Sequence, residues 1–116
     1  MIKISFAKIL FWSCVLAILV LTMSPTVAME IVYATDKFAH FIAFFILSFL
    51  LWSAYKLPQP FITSVFLLGG FGLVIELLQY YIPYRSFSLF DFAADVAGVV
   101  VGGVLYKLLD SVFSTA

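Results

Sequence analysis

Four long apolar stretches, parted by short polar or proline-marked breaks, organise this chain. The first runs from Ile9 to Met23, interrupted by Ser13 and Thr22, and extends to Ala28 through Ser24, Pro25 and Thr26. Phe38 to Tyr55 carries His40, Ser48 and Ser53; Phe61 to Ile82 carries Glu76 and Gln79. Phe90 to Leu109 has Asp91 and Asp95 near its start and Lys107 near its end. None alternates with the period of two of a barrel strand, and a helix satisfies its own backbone groups where water is absent. The pattern predicts an all-α integral membrane bundle of four transmembrane helices, over about residues 9–28, 38–55, 61–82 and 90–109, in one domain covering 1–116.

The breaks are chemically marked. Pro58 and Pro60 close the second stretch and force a tight turn, because proline lacks a donor and restricts the residue before it; Pro83 ends the third. Trp52, Tyr55, Tyr80, Tyr81, Tyr84 and Tyr106 fall near predicted helix ends, where amphipathic rings prefer the headgroup layer.

Composition turns this pattern into a choice of solvent. Of 116 residues, 66% are apolar or aromatic and 10% charged, where a soluble domain carries roughly 25% charged residues. A span takes about 20 residues, so the length accommodates four and excludes many more. Net charge is zero and no basic run exists, which excludes a nucleic-acid partner held by phosphate neutralisation. The lone Cys14 excludes an intramolecular disulfide and a cysteine zinc cluster. No internal repeat or linker divides the chain.

Basic residues accumulate on the cytoplasmic side. With both termini inside, Lys3, Lys8, Lys56 and Lys107 are cytoplasmic and only Lys37 and Arg85 external, so the expected location is the plasma membrane, multi-pass, with both termini cytoplasmic. Lys3, Lys8, the apolar run and Thr26-Val27-Ala28 also resemble a cleavable signal peptide, with Thr where Ala is preferred. Cleavage would leave three spans in the same orientation.

Charge is concentrated as well as scarce. Asp36, Lys37, Glu76, Arg85, Asp91 and Asp95, half of the 12 charges, fall at one end of the predicted bundle with His40, the only histidine. Glu76 precedes Pro83 by seven residues, about 10 Å along a helix at about 1.5 Å per residue. Asp36 and His40 are four apart, Asp91 and Asp95 four, Glu76 and Gln79 three, so each pair shares a helix face. On the fourth helix that stripe continues through Ala94, Gly98 and Gly102, a small-residue face for close intrachain packing, with Gly69, Gly70 and Gly72 on the third as the expected complement. A membrane-embedded carboxylate costs about 2.5–3.5 kcal/mol on insertion scales, so such groups face partners or water. The plainer readings are headgroup anchoring by Lys37 and Arg85, an N-cap or first-turn Asp91 and a packing role for His40.

Asp36-Lys37-Phe-Ala-His40, Glu76-Leu-Leu-Gln79, Pro83-Tyr-Arg85-Ser86-Phe-Ser88 leading to Asp91, and Gly98 with Gly102 resemble, in this order, the VanZ-like family of small membrane proteins. The resemblance covers Asp36 to Gly102. Asp95 stands where the family pattern has Asn, which adds a titratable group. The resemblance implies a multi-helix membrane protein and a link to teicoplanin tolerance, with Asp36, Lys37, His40, Glu76, Gln79, Arg85, Ser88, Asp91 and Asp95 as ligand-binding positions.

Three functions compete. The leading expectation is recognition of a cell-envelope lipid or lipid-linked precursor, with Lys37 and Arg85 on an anion, Glu76, Gln79 and Asp91 on hydroxyls or amides, and His40 exchanging a proton. The second is an intramembrane enzyme on a lipid-linked substrate with His40, Glu76 and Asp95 as candidate acid and base; Ser86 and Ser88 form no recognisable nucleophile motif. The third is a non-catalytic subunit of an envelope complex. No cofactor and no metal is assigned, because one histidine among scattered acids is a weak ligand signal.

Overall fold

A computed structural model describes residues 3–23, 33–57, 59–81 and 89–114, with side chains undescribed at 21–23, 33–37, 79, 80, 89 and 114. Among the described residues there are four helices and no strand: α1 (Ile4–Met23), α2 (Tyr33–Ala54), α3 (Pro60–Tyr80) and α4 (Leu89–Ser114). Helix α2 starts earlier than expected and takes Asp36 and Lys37 into its first turns; α4 runs on past Leu109 to Ser114. The expected extension of the first helix to Ala28 and the Pro83 turn lie outside the described residues.

The α2–α3 turn is short. Gln59 adopts a left-handed φ of 47°, Pro60 opens α3, and Thr63 N donates to Gln59 O at 3.0 Å. Proline suits a first helical position, because its fixed φ is pre-organised and its missing N–H would have no partner there.

The central pair is α2 with α4, and the two run parallel. Residues pair at a nearly constant offset: His40 meets Asp95, Ser48 meets Val99, and Phe49 meets Tyr106. Close approach rests on glycine. A Cβ on Gly98 would strike the Phe41 carbonyl oxygen, and one on Gly102 would lie 2.5 Å from that of Phe45 and 2.9 Å from Ser48 Cβ. The Gly98/Gly102 face therefore seats on the α2 backbone, where the expected complement was α3. Buried Ser48 Oγ fastens the seam by donating to the Val99 carbonyl at 2.7 Å.

Helix α3 runs antiparallel to α4, with Gly72 beside Asp95, Gly69 beside Val96 and Phe61 beside Gly103. Helix α1 lies against α2 and α3, away from α4, where Phe11 and Trp12 meet Tyr55. The core gathers Phe11, Phe44, Leu47, Leu50, Leu51, Leu68, Ile75 and Val99.

The outside is also apolar, with Phe66 at 75% and Phe90 at 72% exposure. Two helices are long and apolar enough to cross a membrane, over Pro60–Leu78 and Phe90–Phe113, and within an 18-residue apolar window of each only 33% and 28% is buried. A core helix of a soluble protein would be mostly covered. The apolar parts of α1 (Ile4–Val20) and α2 (Phe38–Ala54) are shorter, so the four expected spans reduce to two on length and composition.

Candidate functional site

Three helices bring four ionisable side chains into one layer. His40 stands two turns into α2, Glu76 one turn before the end of α3, and Asp91 and Asp95 a turn apart at the start of α4. All four are buried: Glu76 is 0% exposed, Asp95 1%, Asp91 6% and His40 7%. Because α2 and α4 are parallel, their starts coincide, and antiparallel α3 ends at the same level.

His40 Nδ1 lies 2.8 Å from Asp95 Oδ1, and Nε2 lies 4.0 Å from Asp91 Oδ2. A carboxylate only accepts, so Nδ1 carries the hydrogen on the Asp95 side and the opposite nitrogen faces Asp91. One potential ligand atom each from His40, Glu76 and Asp91 all lie within 4.8 Å of one another. Asp95 fits against α3 because residue 72 is glycine: a Cβ there would meet Asp95 Oδ2 at 2.7 Å and Phe44 Cζ at 3.3 Å. Of the two expected positions for Asp91, the first turn of α4 is the one it takes, where it complements the helix dipole while facing His40.

Of the residues singled out in the sequence, His40, Glu76, Asp91 and Asp95 thus come together. Asp36, Lys37 and Gln79 lie in helices with undescribed side chains, and Arg85 and Ser88 lie outside the described residues. Ala94 is half-buried on α4 beside Asp95, while Gly98 and Gly102 make the α2 contact below the site. Two contributors were not read as part of the site. Gly72, expected only as a packing surface for α4, makes room for Asp95, and Ser48 secures the helix pair that carries three of the four groups. Both are small residues on otherwise apolar helices, where a small side chain permits close approach.

A separate cavity of about 430 Å³ lies between α1, α2 and α3, walled by Phe11, Trp12, Leu51, Tyr55, Leu68 and Phe71. Leu51 is eleven residues beyond His40, about 16 Å along α2 at the helical rise, so the α2 wall of the cavity lies well away from His40, whereas its Phe71 wall on α3 adjoins Gly72, the neighbour of Asp95.

No solved structure matches the chain. An uncharacterized protein of Schizosaccharomyces pombe is 36% identical over 66 residues, 54% of this chain and 41% of that protein. The chain thus matches less than half the length of this curated relative. The VanZ/LLP1 family matches residues 5–110, which takes in all four described helices almost entire and every member of the buried layer, and the chain belongs to it.

Proposed function

We propose that this VanZ/LLP1 chain is a multi-pass membrane protein, with four spans and both termini cytoplasmic, whose polar end recognises the headgroup of a cell-envelope lipid. The observation that carries the reading is the convergence of buried His40, Glu76, Asp91 and Asp95 from three helices of a bundle whose exterior is apolar. Buried ionisable groups in such a setting mark sites more often than packing, because each must be compensated. In this reading Lys37 and Arg85 lie toward the headgroup phosphate, where a guanidinium offers two parallel donors. Gln79 and Ser88 supply neutral hydrogen bonds, and the His40–Asp95 pair sets the floor of the site. A link to teicoplanin tolerance belongs to this reading, since the affected step would involve lipid-linked envelope chemistry.

Native mass spectrometry of the purified protein tests it, titrated with phosphatidylglycerol and undecaprenyl diphosphate against phosphatidylcholine. Preferential retention of the anionic lipids, lost in Lys37→Ala and Arg85→Ala, is expected. Equal retention of all three lipids by the wild type would sink the proposal.

The enzyme reading draws on the same geometry. Asp95 orients His40 through Nδ1, which leaves Nε2 for proton exchange near Asp91. Turnover of a lipid-linked substrate, abolished by His40→Gln at unchanged protein abundance, would favour it over recognition alone. A purely structural subunit would instead lose abundance and phenotype in step.

A further inference from the structure

The buried layer is also a set of metal donors. One imidazole and carboxylates from two other positions present ligand atoms all within 4.8 Å of one another. With metal–ligand bonds of about 2.1 Å, adjacent ligand atoms of an octahedral site lie about 3 Å apart and opposite ones about 4.2 Å. Small rotations of side chains already pointed at one another therefore close the set.

Two further observations bear on a ligand rather than on mere proximity. His40 Nδ1 is held by Asp95 Oδ1 at 2.8 Å, which turns Nε2 toward Asp91 Oδ2 at 4.0 Å. A carboxylate behind the imidazole fixes its tautomer and raises its basicity, the usual support of a metal-bound histidine. Independently, α3 has glycine at position 72, where any Cβ would press on Asp95 Oδ2. The space that seats this supporting carboxylate is thus built into a third helix.

We propose that His40 Nε2, Glu76 and Asp91 bind one divalent transition-metal cation of the Mn²⁺ to Zn²⁺ class, with Asp95 as the positioning residue behind His40. Imidazole nitrogen favours this class over Mg²⁺ and Ca²⁺, which prefer all-oxygen shells. Two positive charges offset two of the three carboxylates in the layer. The ion would leave coordination positions toward the polar end of the bundle, so an anionic oxygen could complete its shell. Cation binding by the protein alone requires no lipid and stands apart from headgroup recognition.

The test uses the untagged full chain in a maltoside detergent, without phospholipid, titrated with Mn²⁺ and followed by electron paramagnetic resonance. One Mn²⁺ per chain is expected, with a nitrogen coupling in the pulsed spectrum. Because His40 is the only histidine, that imidazole coupling has one source. Glu76→Gln and Asp91→Asn should each weaken binding at least tenfold, and His40→Gln should abolish the nitrogen coupling. Asp95→Asn should weaken binding about 10- to 100-fold while retaining the coupling, as a support behind a ligand does. Asp110→Asn, at an exposed carboxylate far along α4, should leave binding unchanged. Absence of stoichiometric uptake by the wild type, or uptake without nitrogen coupling, overturns the proposal even where no variant folds. Undiminished affinity in a folded Glu76→Gln does the same. Lipid retention measured in chelator then reports on the headgroup reading separately.

Discussion

Where α2 and α4 begin, His40, Asp91 and Asp95 meet Glu76 in a layer held by charge and hydrogen bonding. Where α2 finishes, ring edges do the corresponding work. Trp52 packs against Phe61 at 4.8 Å and Tyr106 at 5.7 Å between centroids, Phe49 meets Tyr106 at 5.5 Å, and Phe11 and Trp12 face Tyr55. Aromatic pairs contribute about 0.5–1.5 kcal/mol each beyond their buried area and tolerate a range of angles. A buried ionisable pair depends on distance and direction, and losing one partner leaves the other uncompensated. The aromatic end can absorb small shifts of the helices; the polar end cannot. Between them the Gly98/Gly102 seam sets the spacing that the polar end requires.

That contrast is most strongly tested at the seam. Gly98→Ala should destabilise the protein by about 3 kcal/mol, the upper end of overpacking costs, because its Cβ meets backbone that cannot rotate away. Unfolding in detergent, followed by tryptophan fluorescence, checks it; a change below about 1 kcal/mol would show that the helices do not approach this closely. Next comes the polar end. Asp95→Asn keeps the shape and removes the charge, and should cost about 2 kcal/mol, the scale of a hydrogen bond to a charged group. If Phe49→Leu at the aromatic end costs more in the same assay, the ranking of the two ends is wrong.

Ser48→Ala removes one cross-helix hydrogen bond and should cost about 1 kcal/mol, the net value of a neutral bond. The smallest effect carries the opposite sign. A methyl group at Gly70 would meet nothing within 4 Å, so Gly70→Ala should stabilise by up to about 1 kcal/mol through helix propensity. A loss there would mean that α3 has a close neighbour at Gly70 too.

The helices were legible because an apolar run as long as Phe61 to Ile82 has few alternatives, and the layer because spacing places His40, Glu76, Asp91 and Asp95 at one level. Helix partners were not legible. The exterior of this bundle is apolar too, with Phe66 and Phe90 exposed as Phe44 and Ile75 are buried, so hydrophobicity alone does not tell a helix which neighbour it meets. The glycines of α4 announced a close contact without naming α2 as its recipient. Gly72, grouped with Gly69 and Gly70 in the sequence, differs from them only once Asp95 is seen beside it. The spans of α1 and α2 illustrate the same limit, since run length in the sequence exceeded the apolar length of the described helices.

The parallel seating of α4 on α2 also orders events during synthesis. Helices α2 and α3 emerge before α4, yet α2 owes its closest neighbour to that later segment. Until residues 89–114 leave the ribosome, His40 has neither Asp91 nor Asp95 beside it, and the Phe41–Phe45 backbone lacks the two glycines that cover it. Formation of the buried layer is therefore gated by α4, and a nascent chain stopped before it would leave His40, Ser48 and the Phe41–Phe45 backbone uncovered to whatever holds it.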